Sequence, residues 1–305
     1  MLNDTCHMAR AIELAQRGLY STMPNPRVGC VLVRDGVVIG EGWHVRAGEG
    51  HAEVNALADA AKRGELAVGA TAYVTLEPCS HTGRTGPCCD ALTSAGVVRL
   101  VYGMQDPNPQ VAGSGLARMA AAGVDIVGPL LESQARALNP GFIRRMETGL
   151  PLVRCKLAMS LDGRTAMASG ESQWITGPQA RSDVQRLRAR SSAILTGIGT
   201  LLHDDAALTV REEQLGFDPD EIYKSEDAVK NQPLKVVLDS KGKMFPGAKI
   251  LASQTRILWV VDETAELNEA LSSLEFVEVF RLPAIDQSEA ILLVLQKLAE
   301  MQCNE

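Results

Sequence analysis

The sequence predicts an α/β protein built from two layered domains. Short apolar runs typical of strands alternate with helical patterns along both halves of the chain. The 305 residues are 46% hydrophobic and 22% charged, which is enough apolar material for two cores. Gly149-Leu150-Pro151 interrupts the pattern, and a new apolar run begins directly after it. We therefore expect one domain over residues 1–147 and a second over residues 148–305.

Each element of the first half follows from a local pattern. Apolar residues at helical spacing predict a helix over residues 5–17. Apolar runs on both sides of Asp35-Gly36 predict a hairpin from about Val28 to Gly42, because this dipeptide suits a tight turn with positive φ. The remaining predicted elements are a helix over residues 52–63, a strand over 70–77, a short helix beginning near Cys88, a strand over 97–102 and a helix over 113–122, in a domain that ends near Arg145.

The second half alternates in the same way. Its predicted elements are a strand in the run LVRCKLAMSLDG after Pro151, a helix after Pro178, strands over 193–196, 235–238 and 256–261, and a helix over 286–301 with a capping box at Asp286 and Glu289. The acidic stretch over 212–230 lacks an apolar period, so we expect a loop there. The chain stops where an alternating fold would begin its next strand, and we expect this domain to be C-terminally incomplete.

Composition and charge exclude several function classes. A net charge of -7 disfavours binding to nucleic acid or to an anionic membrane, since both depend on clustered Lys and Arg. The sequence contains no apolar run of about eighteen residues and no signal peptide, so we expect a cytoplasmic protein with a small-molecule substrate. Seven scattered cysteines in a reducing compartment indicate metal binding or buried thiols rather than a disulfide framework.

One group of residues carries recognisable chemistry. His51-Ala52-Glu53 begins a predicted helix, Pro78-Cys79 ends a predicted strand, and Cys88 begins the next helix. One imidazole and two thiolates leave a fourth position open on tetrahedral zinc, which lowers the pKa of a bound water to roughly 7. Glu53 is then available to move protons, and this set suits attack on the amino-bearing carbon of an aminopyrimidine or purine.

Less specific interpretations of these residues stay open at this point. A His-x-Glu pair on a helix is common on solvated faces, and paired cysteines near a turn also form structural zinc sites. Structural sites normally have four protein ligands, and Cys89 is the candidate for the fourth. Adjacent residues rarely reach one ion without backbone strain, which disfavours this alternative.

Three segments resemble a known family. MPNPRVGCVLVRDGVVIGEGWHVRAGEGHAEVNAL, TLEPCSHTGRTGPCCDAL and DPNPQVAGSGL are similar to the bifunctional riboflavin-pathway deaminase–reductases. Simple cytidine and tRNA adenosine deaminases usually place two residues between the cysteines, whereas Cys79 and Cys88 here enclose SHTGRTGP. The resemblance implies a cytidine-deaminase-like three-layer α/β/α domain that deaminates a diaminopyrimidine carrying a phosphoribosylamino group.

The resemblance also implies roles for individual residues of the first domain. Zinc is bound by His51, Cys79 and Cys88, and Glu53 is the catalytic proton shuttle. The implied substrate contacts are Asn25, His44, His81 and Arg84. Among these, Arg84 suits a phosphorylated substrate, because a guanidinium pairs with phosphate through two parallel hydrogen bonds. His44 as a plain strand residue and His81 as a loop cap are the simpler alternatives.

The second domain resembles the reductase half of the same family, whose fold is like dihydrofolate reductase. The matching segments are KLAMSLDGRTAMASGESQWITG and DVQRLRARSSAILTGIGTLLHDDAALTVR. The likeness implies NADPH as cofactor and reduction of a ribosyl group to ribityl. The implied NADPH-binding residues are Ala158, Trp174, Thr176, Thr200, Asp204 and Ser240. The implied substrate-binding residues are Ser172, Arg188, Leu208 and Arg211. Surface ion pairing is the alternative role for the two arginines.

Two departures from the family pattern bear on the second activity. Ala206 stands where the family commonly has proline after paired aspartates, which loosens the loop. The strands and glycine-rich turn that follow in the family lie beyond Glu305, so we expect weak or no reductase activity.

Three competing hypotheses stay open. The first is a deaminase whose second domain is a scaffold or interface, and the second is a structural zinc module. The third is a nucleic-acid editing deaminase, which the acidity and the 4% aromatic content disfavour. The resemblance also implies a homo-oligomer.

Overall fold

The chain forms two compact units, Met1–Gly149 and Leu150–Glu305. Their structure is a computed structural model that describes residues 2–80, 86–109, 111–172, 174–218 and 220–305. None of the helices in these ranges has the length and apolar character that a membrane span requires.

The first unit is a three-layer α/β/α sandwich. In chain order its elements are α1 (Leu2–Gln16), β1 (Gly29–Arg34), β2 (Val37–Trp43), α2 (Ala52–Lys62), β3 (Thr71–Val74), α3 (Cys88–Ser94), β4 (Arg99–Tyr102), α4 (Ser114–Ala121), β5 (Asp125–Val127), α5 (Glu132–Leu138) and α6 (Pro140–Thr148). The sheet order is β2-β1-β3-β4-β5, with β1 antiparallel to β2 and β3 and the remaining pairs parallel. One buried cluster joins the sheet to α2, α3 and α4, and another joins its opposite face to α1. The predicted fold class is confirmed for this unit.

The hairpin and the packing of α2 have simple local causes. Asp35 and Gly36 both adopt positive φ, 52° and 76°, as the predicted tight turn requires. Helix α2 lies directly on β2. The approach is so close that a Cβ atom added at Gly42 would come within 2.3 Å of the Ala56 nitrogen. Only glycine permits this approach. The approach fixes the helix that carries Glu53.

The second unit contains a four-stranded sheet in which all strands are parallel. Its elements are α7 (Pro178–Arg190), β6 (Ala193–Gly197), α8 (Ile198–Asp204), a 3₁₀ turn (Glu212–Gln214), α9 (Ser225–Lys230), β7 (Leu234–Leu238), α10 (Lys249–Ala252), β8 (Ile257–Asp262), α11 (Glu269–Ser272), β9 (Val277–Leu282) and α12 (Gln287–Glu300). The strand order is β6-β7-β8-β9. Alternate residues of these strands enter two separate buried clusters, one with Trp259 and one with Leu258, as expected for a sheet covered on both faces.

The strand predicted in LVRCKLAMSLDG is wrong. Residues 152–163 form no strand, and no strand of the described part of the chain pairs with them. The apolar side chains of the run are exposed, for example Val153 at 62% and Leu157 at 65%. Alternation of apolar and polar residues indicates which face a strand would bury, but a strand forms only where its backbone groups find a neighbour.

Other boundaries needed smaller corrections. The loop expected over 212–230 contains the 3₁₀ turn and α9, whose Ala228 is fully buried. Strands β5 and β9 and helices α5, α6, α10 and α11 were not predicted. The cap of α12 is confirmed, since the Asp286 carboxylate accepts hydrogen bonds from the backbone N–H groups of Ser288 and Glu289, at 2.7 and 3.1 Å.

Candidate active site

Three elements of the first unit bring the predicted metal ligands together. His51 is the residue before α2, Cys79 follows β3, and Cys88 is the first residue of α3. One ligand atom from each lies within 4.8 Å of the others. The His51 Nδ1 atom is 3.2 Å from the Cys88 Sγ atom and 3.6 Å from the Cys79 Sγ atom. The Cys88 backbone N–H also points at the Cys79 sulfur, at 3.3 Å.

This donor set fits a zinc ion. Tetrahedral coordination with ordinary zinc–nitrogen and zinc–sulfur lengths places the two kinds of donor atom about 3.6 Å apart, close to the separations around His51. Cys89 packs in the apolar cluster between the sheet and α2 and is absent from the group of converging ligands. Among the described residues, the site therefore has three protein ligands, which argues against the closed structural site considered above.

The electrostatics of the site favour a thiolate at Cys79 and a protonatable carboxyl group at Glu53. The hydrogen bond between the two thiols lowers the pKa of Cys79 and raises that of Cys88. The hydrogen bond with Cys79 also raises the pKa of His51. Glu53 is only 3% exposed, and burial, together with the charge of Cys79, raises its pKa to about 7. A buried carboxyl group with such a pKa can exchange protons at neutral pH.

Asn25 and His44 lie beside this cluster. The His44 ring is edge-on to that of His51, with centroids 5.3 Å apart. Its Nδ1 atom is 3.1 Å from the Gly50 carbonyl oxygen and its Nε2 atom is 3.1 Å from the Asn25 side-chain nitrogen. Burial lowers the pKa of His44, which favours the neutral ring. His81 and Arg84 lie outside the described residues.

The candidate residues of the second unit are more dispersed. Trp174 is 72% exposed, with its ring against the guanidinium of Arg181, and Ser172 is exposed as well. Ala158 and Thr176 are half-buried in segments without regular structure, while Thr200 and Asp204 lie on α8. Ser240 lines a cleft at the carboxyl ends of β7, β8 and β9. Of the candidate NADPH-binding residues that the structure describes, it alone lines that cleft.

Arg188 and Arg211 are close enough to influence each other. Burial, and then the charge of Arg211, lowers the pKa of Arg188. The Arg188 guanidinium donates to the Thr209 carbonyl oxygen at 3.3 Å. Leu208, one residue earlier, is buried with a positive φ of 54°. Two neighbouring guanidinium groups beside a strained turn form an arrangement that an anion would stabilise.

The sequence pattern did not single out Glu77. This carboxylate is 3% exposed and lies two residues before Cys79. An acidic residue at the end of the apolar run ATAYVTLE was the available signal. A buried charge needs partners, and here they are backbone N–H groups that no sequence pattern reveals.

Comparisons with known proteins agree with the two-part architecture. The cytidine and deoxycytidylate deaminase zinc-binding region matches residues 1–104, and the RibD C-terminal domain matches residues 151–305. Riboflavin biosynthesis protein RibD of Escherichia coli strain K12 is 58% identical over 250 residues, which is 82% of this chain and 67% of that protein. The Haemophilus influenzae RibD is 52% identical over 264 residues, covering 87% of this chain and 70% of that protein.

Solved structures give the same result. RibD from Acinetobacter baumannii superposes with a TM-score of 0.85 at 45% identity, covering 99% of this chain and 79% of that one. A deaminase/reductase from Thermotoga maritima gives 0.82 at 34% identity, covering 100% of this chain and 80% of that one. The chain therefore belongs to the RibD family of riboflavin-biosynthesis enzymes, in which a zinc-dependent deaminase domain is joined to an NADPH-dependent reductase domain.

Proposed function

We propose that His51, Cys79 and Cys88 hold the catalytic zinc ion of the deaminase and that Glu53 moves its protons. One observation carries the proposal: three ligand atoms lie within 4.8 Å of one another beside a carboxyl group that is buried and has a raised pKa. When bound, zinc supplies a Lewis acid that brings the pKa of a water molecule close to neutrality. The buried position of Glu53 excludes bulk water from its proton transfers.

Glu53 acts twice in this proposal. Its carboxylate first takes a proton from the attacking water, and the resulting carboxylic acid then protonates a ring nitrogen or the departing amine of the substrate. Both steps need a group whose pKa is near the working pH, and the value of about 7 meets that need. Ammonia leaves, and a carbonyl group replaces the amine.

We propose that Asn25 and His44 orient the pyrimidine. The His44 Nδ1 atom faces a carbonyl oxygen, so it carries the proton, and Nε2 accepts a hydrogen bond from the Asn25 amide nitrogen. This fixed chain leaves the Asn25 Oδ1 atom to accept a hydrogen bond from a substrate N–H group. By resemblance, His81 and Arg84 contact the same substrate, with Arg84 on its phosphate.

For the second unit we propose that Arg188 and Arg211, together with Ser172 and Leu208, bind the phosphorylated substrate of the reductase. Burial and then the nearby charge of Arg211 lower the pKa of the Arg188 guanidinium, and two cations this close to each other support an anion site. The proposed NADPH contacts are the residues implied by the resemblance, Ala158, Trp174, Thr176, Thr200, Asp204 and Ser240.

We also propose domain limits of 1–147 and 148–305, a homo-oligomeric assembly by resemblance, and a cytoplasmic location. All seven cysteines are free thiols, which suits a reducing compartment.

Zinc content and ammonia release test the deaminase proposal together. The protein should hold one zinc ion per chain and release ammonia from the phosphorylated diaminopyrimidine, and a chelator should remove both. Ammonia release that persists in a zinc-free protein would refute the proposal. NADPH oxidation with the deaminated product measures the second activity.

A further inference from the structure

Glu77 is a buried carboxylate that the proposed mechanism does not use. It lies at the end of β3, and its own backbone N–H donates to the Met104 carbonyl oxygen at 2.9 Å. Cys79, a proposed zinc ligand, is two residues further along the chain, and only Pro78 separates the two. A displacement of the Glu77 side chain is therefore transmitted over a very short distance to a ligand sulfur.

In the part of the chain that the structure describes, the hydrogen-bond donors to this carboxylate come from the segment 106–116, which runs from the loop after β4 into the first turn of α4. Oε2 accepts from the backbone N–H groups of Gly113 and Asp106, at 2.9 and 3.2 Å. Oε1 accepts from those of Gly115 and Leu116, at 3.0 and 3.4 Å. One carboxylate thus accepts hydrogen bonds from two N–H groups in the first turn of α4, from that of the N-cap residue Gly113 and from that of Asp106 in the preceding loop. Its negative charge is favourable at a helix N-terminus.

The segment 106–116 also contacts the residues that follow Glu77. A Cβ atom added at Gly115 would come within 2.0 Å of the Pro78 carbonyl oxygen, so only glycine permits this contact. Ser80 and Ser114 share a hydrogen bond of 2.6 Å between their hydroxyl groups. The chain from Pro78 to Ser80 is therefore held from one side by α4, while Cys79 is held from the other side by the N–H groups of Cys88 and Cys89.

We propose that Glu77 is a positioning residue of the deaminase site, which fixes Cys79 at the distance that zinc binding requires by tying the end of β3 to the segment 106–116. The inference rests on the proposed function of Cys79. A carboxylate is needed because it offers about four acceptor positions and no donor, whereas the glutamine amide has one oxygen and turns two N–H donors toward the backbone donors. Loss of outer-shell residues that orient metal ligands costs about 10- to 100-fold in metal affinity or activity.

The test compares Glu77→Gln with the intact protein, with Asp4→Asn as the matched control. Asp4 is a carboxylate of the same unit whose described partners, Arg99 and Tyr73, are not zinc ligands. Zinc affinity is measured by competition with a chromogenic chelator, and the environment of the metal by the absorption spectrum of the cobalt-substituted protein. Ammonia release gives kcat and KM, and the thermal midpoint reports stability.

We expect Glu77→Gln to weaken zinc binding about 10- to 100-fold, to alter the cobalt spectrum and to lower kcat more than it raises KM. Asp4→Asn should lower the thermal midpoint while leaving zinc affinity, spectrum and kcat unchanged. The proposal is overturned if Glu77→Gln loses only stability, in the manner of Asp4→Asn.

If Glu77→Gln does not fold, Glu77→Asp keeps the charge on a side chain shorter by one methylene. Reduced zinc affinity in that variant supports the proposal, and unchanged affinity and kcat overturn it. Absence of zinc from the intact protein would refute the proposed function instead.

Discussion

The candidate functional residues of the two units differ in how far they are buried. In the first unit, ligands from the start of α2, the end of β3 and the start of α3 converge on a site whose acid, Glu53, is 3% exposed. In the second unit, most candidate residues are exposed or half-buried, and Trp174 is 72% exposed. Burial raises the pKa of Glu53 and lowers that of His44 in the first unit, and it lowers the pKa of Arg188 in the second.

This difference in burial indicates how completely the described residues form each site. Around His51, distances and electrostatics already favour one chemistry. Around Arg188, the guanidinium groups of Arg188 and Arg211 lie near each other, and neither residue lines the cleft that Ser240 lines. Four substitutions test this difference between the two units.

Glu53→Gln should have the largest effect. The amide keeps the shape of the side chain but cannot accept and return a proton, so kcat for ammonia release should fall by about 10²- to 10⁴-fold. Zinc content should stay at the level of the unmodified protein, because Glu53 is not among the converging ligands. Atomic absorption and an ammonia assay measure the two quantities. If activity and zinc were lost together, Glu53 would be a ligand or a structural residue instead of the proton shuttle.

Gly42→Ala tests whether the packing of α2 on β2 positions Glu53. The new methyl group would meet the Ala56 nitrogen at 2.3 Å and the Ala52 oxygen at 2.4 Å, so the helix must shift. We expect a loss of about 1–3 kcal/mol in the free energy of unfolding and a fall in kcat of up to about 100-fold, as misplacement of a catalytic group produces. Chemical denaturation and ammonia release measure these changes.

Gly177→Ala is the control for this substitution, since the nearest atom to its Cβ lies at 3.7 Å and the residue belongs to the second unit. It should leave ammonia release unchanged. Full activity in Gly42→Ala would show that the approach of α2 to the sheet is not needed for the chemistry.

Arg188→Ala addresses the second unit. If Arg188 binds phosphate as proposed, its removal should raise the KM of the reductase for the phosphorylated substrate by about 10- to 100-fold, because charge-assisted hydrogen bonds contribute about 1.5–3 kcal/mol. The thermal midpoint should stay constant or rise, since the repulsion from Arg211 is relieved. NADPH oxidation and thermal unfolding measure the two effects.

Arg186→Ala is the matched control on the same helix. Its guanidinium is engaged by the Leu215 and Gly216 carbonyl oxygens and by Glu221, which are structural partners. That variant should lose stability and keep its KM. A reversed outcome, in which Arg188→Ala is destabilised at constant KM, would assign Arg188 a structural role.

The same contrast explains what the sequence could predict. The hairpin at Asp35-Gly36 and the helix after His51 follow from local rules, so they could be derived residue by residue. The approach of Cys79 and Cys88 to His51 was expected from the chemistry of their spacing and from the resemblance. No sequence pattern indicated a role for Glu77, because its hydrogen-bond partners are backbone N–H groups. The strand expected over residues 152–163 failed because alternation carries no information about a pairing partner.

Asp4→Asn should have the smallest effect, on the stability of the first unit and its pH dependence. Hydrogen bonds from Arg99 and then Tyr73 lower the pKa of Asp4 from 3.8 to about 2. The ionised carboxylate therefore stabilises the folded state at pH values above about 4, and this contribution is lost as the pH falls from 4 toward 2. With 20% of its side chain exposed, the pair contributes about 1 kcal/mol after screening. The difference in thermal midpoint between the intact protein and Asp4→Asn should thus be present at pH 7 and shrink near pH 2.5. An equal difference at both pH values would mean that the side chain stabilises the fold by packing and not through its charge.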